Sequence, residues 1–177
     1  KHRFNKNLKA TQTNTAAQAA AATTETAPTL SQDTLLDKGN IYFEKGIQTK
    51  DELFRFIAEK MQDKGIVNDQ ERLVEAFQKR EEQNSTGMEN GFAIPHAQSE
   101  TIKKAAMLAV KLEEPITDWQ TFDHKPVTFV IAFLIPPKGS EAHLHYLSET
   151  AQKLVDKNTV EQLITAKSAE QIYMMLS

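Results

Sequence analysis

With 177 residues, of which 40 % are hydrophobic and 25 % charged, the chain can bury one core without cross-links. It contains no cysteine, which excludes a disulfide scaffold, a thiolate metal site and a thiol nucleophile within it. A formal net charge of −3 gives nucleic-acid binding no electrostatic footing, and no apolar run approaches the roughly 20 residues of a membrane-spanning helix.

Composition divides the chain near residue 30. Residues 1–9, KHRFNKNLK, carry Lys1, Arg3, Lys6 and Lys9, while residues 10–29 hold eight Ala and seven Thr and lack Val, Ile, Leu and aromatics. A run of that kind cannot offset its ordering entropy by burial, so residues 1–30 read as a basic stub and a flexible linker. The stub suits either a solvated tail or the cytoplasmic flank of a membrane segment before it. A first residue of Lys, with no signal-peptide pattern, reads as a fragment or a processed product.

Residues 31–177 are expected to form the folded domain. Asn40–Glu44 reads as a short strand. Thr49 and Glu52 make a capping box that opens a helix with Leu53, Phe56, Ile57 and Met61 at helical spacing, and Gly65 closes it. Asn68 with Glu71 suggests the next N-cap, ahead of Val74 and Phe77 on an inner face and Arg80 in the last turn. A loop follows over residues 84–91. Phe92–Ile94 and Ala105–Leu112 are strand candidates, and Val127–Ile135 (VTFVIAFLI) is apolar enough to be a central strand buried on both faces. Ser140 is expected to cap a helix carrying Leu144, Leu147, Ala151, Leu154 and Val155, and Ser168 with Gln171 to open the last one. Strands alternating with helices make the class α/β, a single domain with a mixed sheet and helices on both faces.

No GxxxxGK[ST] or GxGxxG loop is present, so direct nucleotide binding has no motif behind it. The five histidines carry more information. His2 lies in the tail, and His124 in the turn-like Asp123-His124-Lys125-Pro126. His96 follows Phe92-Ala93-Ile94-Pro95, an apolar run stopped by proline, which mounts the imidazole stiffly at a strand end. A buried structural histidine fits the same pattern. His143 and His145 fall in the first turn of the Ser140 helix. On a helical wheel His143 lies roughly 60° from the apolar stripe and His145 about 140° from it, so His143 borders the core and His145 faces water. That helix N-terminus suits an anion, and two histidines with an arginine there would make a phosphoryl site. A metal site from His96, His143 and a carboxylate is the competing chemistry.

Arg80-Glu81, Ser85-Thr86-Gly87 and Asn90-Gly91-Phe92-Ala93-Ile94-Pro95-His96 together resemble the signature of enzyme IIA domains of the fructose/mannitol class of the bacterial phosphoenolpyruvate:sugar phosphotransferase system. His143-Leu144 with Leu147 resembles the family's second-histidine segment, and the resemblance spans about residues 33–177. It implies that His96 is the nucleophile, accepting a phosphoryl group from the phosphohistidine of HPr and passing it to a cysteine of enzyme IIB, which serves a membrane IIC component. It further implies that His143 steadies the phosphoryl group or the His96 ring, that Arg80 pairs with phosphoryl oxygens, and that no metal, cofactor or nucleic acid takes part. The location it implies is the cytoplasm, or the cytoplasmic face of the membrane when the domain is fused to a permease. One departure is His124, where glycine is common among relatives. The same fold also serves in regulators of the nitrogen-linked and transcriptional-activator type, which would keep His96 as a phosphorylation sensor.

Overall fold

The computed structural model describes residues 35–138 and 141–177, with the backbone alone at 142. The linker reading of residues 1–30 and the Ser140 cap lie outside the described residues. Within them the sheet is organised by its most apolar segment, Val127–Ile135. It is a strand in which only Thr128 is not buried. Its alternate side chains enter two cores, Val130, Ala132 and Leu134 one of them, Phe129, Ile131 and Phe133 the other. A strand buried on both faces has to lie inside the sheet with helices above and below.

The strands in chain order are β1 (Leu36–Glu44), β2 (Phe92–Ala93), β3 (His96–Gln98), β4 (Ala106–Ile116) and β5 (Val127–Ile135). Their spatial order is β1-β4-β5-β2, with β3 also on β5. β4 and β5 run antiparallel, with Val110 opposite Val130. The β1–β4, β2–β5 and β3–β5 pairs are parallel. The sheet is therefore mixed. Helices α1 (Lys50–Asp63) and α2 (Gln70–Gln83) cover one face through Leu53, Phe54, Ile57, Met61, Leu73 and Phe77. Phe54 and Phe77 stack with ring centres 5.0 Å apart, locking the two helices together. Helices α3 (Glu141–Lys153), α4 (Lys157–Thr165) and α5 (Ala169–Leu176) cover the other face through Tyr146, Leu163 and Ile172. No described helix is long and apolar enough to cross a membrane.

The local signals behave as their chemistry requires. Thr49 accepts from the Glu52 N–H at 3.1 Å, and Glu52 reaches back to the N–H of Gln48. At the other end of α1, Gly65 takes φ +74°. Its N–H bonds the Gln62 carbonyl and that of Ile66 the Met61 carbonyl, the paired closure that favours glycine here. Ser168 accepts from the Gln171 N–H, while Gln171 Oε1 accepts from the Lys167 N–H at 2.7 Å.

Several boundaries differ from expectation, each for a physical reason. β1 starts at Leu36 rather than Asn40, because its polar stretch Asp37-Lys38-Gly39 lies in a register shift between Leu36 and Ile41 that hides the alternation. Lys64 Nζ closes on the carbonyl of Gly39 and on Asn40 Oδ1 there. The cap of α2 is Asp69, not Asn68. Asn68 Oδ1 instead accepts from the buried Thr101 hydroxyl, which in turn accepts from the Asp69 N–H. β4 continues past Leu112 to Ile116 across an irregularity, with Glu114 accepting from Gly46 N–H and Gln48. α4, capped by Asp156, was not foreseen. Finally, α3 and the turn that ends it bury Tyr146, Thr150 and Leu154 but leave Leu144 and Val155 exposed. Thr150 donates its hydroxyl to the Tyr146 carbonyl at 2.9 Å, so a polar residue sits on the buried face, and of the expected stripe Leu154 is buried and Leu147 and Ala151 pack against the core while Leu144 and Val155 do not.

Two loop positions lend themselves to a stability test. A Cβ on Gly87 would lie 2.0 Å from the Gln120 carbonyl oxygen, so Gly87→Ala should cost at least about 2 kcal/mol. His124 holds φ +61° in an exposed turn. His124→Gly removes a left-handed penalty of roughly 1–2 kcal/mol, against roughly 0.5–1 kcal/mol of added chain entropy, for a small net gain. Urea unfolding of the two variants checks both signs.

Candidate functional site

The motif residues of 80–96 first build a mount. Glu81 accepts from the Thr86 N–H at 3.1 Å, from the Thr86 hydroxyl, and from Trp119 Nε1–H at 3.2 Å. One carboxylate thus ties the end of α2 to the loop and to the β4–β5 connection. Ser85 donates to the Gln120 carbonyl at 2.6 Å and accepts from the Gly87 N–H. Asn90 and Gly91 both have positive φ, +61° and +81°. A Cβ on Gly91 would come within 2.9 Å of Thr128 Oγ1, while its carbonyl accepts from the N–H groups of Thr128 and Phe129. That close approach is the reason for glycine at this turn.

Beyond it the chain pairs with β5 as one strand cut in two. Ala93 lies opposite Val130 and His96 opposite Phe133, three residues on in each chain, so the register survives Ile94-Pro95. Pro95 has no N–H to give, but its carbonyl accepts from Phe133 at 3.0 Å, and Ile94 donates to Thr86. His96 therefore opens the short strand β3 rather than standing past the end of a strand.

The His96 ring is held at both nitrogens. Arg80 Nε–H donates to Nε2 at 2.8 Å, which makes Nε2 the lone-pair nitrogen. Nδ1 must then carry the hydrogen, and it faces the Ile94 carbonyl at 3.2 Å. Burial, foremost, and the Arg80 charge push the imidazole below its ordinary pKa, against the Ile94 hydrogen bond and the Glu81 charge, which act to raise it. Arg80 in turn donates Nη1–H to the carbonyl of Asn84 at 2.8 Å and to Asn84 Oδ1 at 3.0 Å. The pair lies in an open cleft of about 740 Å³ between one face of α2 (Arg72, Glu75, Ala76, Lys79), β3 and the first turn of α3 at Leu144. A neutral, lone-pair-bearing imidazole beside a guanidinium is equipped to take up an anionic electrophile at Nε2.

The other histidines fall as follows. Taking Tyr146, Thr150 and Leu154 as the buried centre of α3, His143 lies about 20° from it and His145 about 140° away. His143 is half-buried, and its buried Nδ1 has no hydrogen-bond partner among the described residues. It adjoins Leu144 but does not itself line the cleft, so the structure brings Arg80 to His96 and leaves His143 a residue short of them. His145 is exposed and pairs with Glu149 at 3.1 Å. His124 is exposed in its turn. Among the described residues no cluster of three His, Asp or Glu side chains is placed to hold a metal ion, so the metal alternative finds no ligand set there. Sequence reasoning missed Asn84 and the charged cleft wall of Arg72, Glu75 and Lys79, although positions 72, 75, 76, 79, 80 and 83 of α2 already show the helical spacing of one face.

The residues from 34 to 177 match the family described as phosphoenolpyruvate-dependent sugar phosphotransferase system, EIIA 2, and the chain belongs to that family. It is 38 % identical over 106 residues, 59 % of the chain, to the nitrogen regulatory protein of Escherichia coli (strain K12). The match spans only 64 % of that relative's length. The nitrogen regulatory protein homolog of Haemophilus influenzae is 33 % identical over 144 residues, covering 80 % of this chain and 87 % of the relative. In structure the chain is similar to the nitrogen regulatory protein IIA-Ntr of Neisseria meningitidis, with a TM-score of 0.75 at 28 % identity over 81 % of this chain and 97 % of that one.

The electrostatics of the site can be tested by titration. The folded-state pKa of His96 lies below its ordinary 6.5, so NMR titration should show its ring still neutral where an exposed histidine is half protonated. The unfolded chain then binds more protons, and this group's share of stability is full above about pH 6.5 and lost as pH falls towards the folded pKa. Arg80→Gln, which removes the charge, should move the midpoint upward. A midpoint at or above 6.5 in the wild type would contradict the site as described.

Proposed function

We propose that the domain is a phosphohistidine carrier of a sugar phosphotransferase system, charged at Nε2 of His96 by phospho-HPr and discharged to the cysteine of an enzyme IIB. The observation that carries this reading is the Arg80–His96 contact at 2.8 Å, which leaves Nε2 as the unprotonated nitrogen and a guanidinium beside it. In the charging step the Nε2 lone pair forms the new N–P bond. The P–N bond of the donor phosphohistidine breaks, its electron pair returning to the donor nitrogen. Nδ1 keeps its hydrogen, which it donates to the Ile94 carbonyl, and this bond steadies the ring as positive charge develops. Transfer between two nitrogens is nearly balanced, so the protein supplies alignment and charge stabilisation. Arg80 provides the charge, and His143, from the adjoining turn of α3, steadies the ring or a phosphoryl oxygen. On this reading the site works in the cytoplasm, and the Ala/Thr-rich residues 10–29 tether it to a membrane partner and raise its effective concentration there.

A regulatory role is the second reading, favoured by relatives named nitrogen regulatory proteins. In that case the same histidine is charged, and its state is read by a binding partner instead of being passed on to a sugar.

Incubation with phosphoenolpyruvate, enzyme I and HPr should add one phosphoryl group by intact mass, on Nε2 by ¹⁵N and ³¹P NMR, and none to His96→Ala. Arg80→Ala should slow charging about tenfold to a hundredfold with the fold intact, the worth of one charge-assisted hydrogen bond. His143→Ala should impair transfer and His145→Ala leave it near wild type; the reverse order would place the helper histidine wrongly. Rapid discharge to a IIB cysteine supports transport. A charged domain that IIB does not discharge, and whose partner affinity changes with its charge, supports regulation.

A further inference from the structure

Asn84 ends α2 in extended backbone, with φ −167° and ψ 157°. Its carbonyl and its side-chain oxygen thereby converge on one nitrogen of Arg80, Nη1, at 2.8 and 3.0 Å. Nη1 lies on the Cδ side of a guanidinium. The opposite edge, formed by Nε and Nη2, is the planar fork that matches two oxygens of an anion. In Arg80 this edge is turned to His96: Nε–H donates to Nε2, and Nη2 has no hydrogen-bond partner among the described residues. The carboxylate nearest in sequence, Glu81, is committed to Thr86 and Trp119, and no described carboxylate forms an ion pair with Arg80. The guanidinium is thus oriented by neutral acceptors on its back edge, with no described carboxylate in an ion pair with it.

Resting on the carrier reading, we propose that Asn84 is a positioning residue for phosphoryl transfer: by holding Nη1 it presents the Nε–Nη2 edge of Arg80 to a phosphoryl group on His96 Nε2. When the N–P bond forms, the Nε2 lone pair is consumed and the donor's P–N bond breaks towards the donor. Arg80 Nε–H then moves from Nε2 to one phosphoryl oxygen, and Nη2 takes a second. Nη1 keeps both bonds to Asn84, so the side chain changes partners without losing its bearing. An arginine without that rear anchor would have to recover its orientation in every cycle, and misalignment is costly in a step that depends on positioning.

The test uses the whole chain with arginine labelled in ¹⁵N. Asn84→Leu keeps the branched shape and removes the side-chain acceptor. It should shift the Arg80 Nε–H signal towards that of an exposed arginine and slow charging by phospho-HPr about tenfold. In an Arg80→Lys background, where Nη1 no longer exists, the same change should cost less than about twofold, since the two residues then act as one unit. Should circular dichroism show Asn84→Leu unfolded, Asn84→Ala takes its place in both arms. Charging at the wild-type rate overturns the proposal. So does slow charging with the Arg80 signal unmoved, or an undiminished loss in the Arg80→Lys background. A folded wild type that takes no phosphoryl group overturns the carrier reading instead, and the Arg80 Nε–H signal alone then decides whether Asn84 positions the arginine.

Discussion

The backbone N–H of Phe133 donates to the carbonyl of Pro95 at 3.0 Å, and this bond carries the edge of the sheet across the two residues that interrupt it. Because Ala93 and His96 keep the register of Val130 and Phe133, the imidazole inherits the rigidity of β5, a strand buried everywhere but at Thr128. Pro95 contributes by what it lacks. Without an N–H it donates nothing to the ladder, although its carbonyl accepts there, and in the short gap between β2 and β3 the Ile94 N–H goes to the Thr86 carbonyl and the Ile94 carbonyl to the imidazole. The loop is thereby drawn onto the strand beside the histidine.

The same constraint explains why the residues around the site are so uneven in kind. Gly87 is there because the Gln120 backbone occupies the space of a side chain, and Gly91 because its φ is positive and the Thr128 hydroxyl crowds the place of a Cβ. Glu81 is there to gather the loop hydroxyl, the loop amide and an indole N–H. Arg80 and His96 alone among the motif residues meet at the cleft with polar groups left for chemistry. Adjacent residues of α2 therefore divide the work, Arg80 towards the cleft and Glu81 towards the scaffold, as the roughly 100° turn between neighbours on a helix allows.

Those parts whose cause is local were legible in the sequence. The cap at Thr49, the closure at Gly65 and the two-faced burial of Val127–Ile135 each follow from a few neighbouring residues, and each is present. Arg80 and His96 were legible through a motif, but their contact needs α2 and β3 to meet, which no spacing reports. The errors arise where a distant partner satisfies a local feature. Asn68 has the chemistry of a cap, yet Thr101 engages its side chain and Asp69 takes the role. The polar start of β1 is strand because Met107 pairs with Leu36 and Lys64 reaches the bulge. In α3, hydropathy placed the buried stripe on three leucines, an alanine and a valine, whereas the fold keeps Leu154 of these fully buried and adds Tyr146 and Thr150. The assignment of His143 to the inner side survives that rotation because it stands closer to the true stripe than to the one drawn.

The hydrogen bond from Arg80 to Nε2 also bears on the energy of the charged and uncharged forms. A buried lone pair left without a donor would raise the energy of the empty ring and drive the histidine to hold whatever it captured. Here the guanidinium acts as a placeholder for the missing group. On the proposed chemistry, it satisfies the empty nitrogen in one state and the phosphoryl oxygens in the other. Neither form is then a deep well, and the direction of net flow is set by the concentrations of donor and acceptor rather than by the domain. A carrier built in this way behaves as a reversible buffer of phosphoryl potential, able to fill from either side.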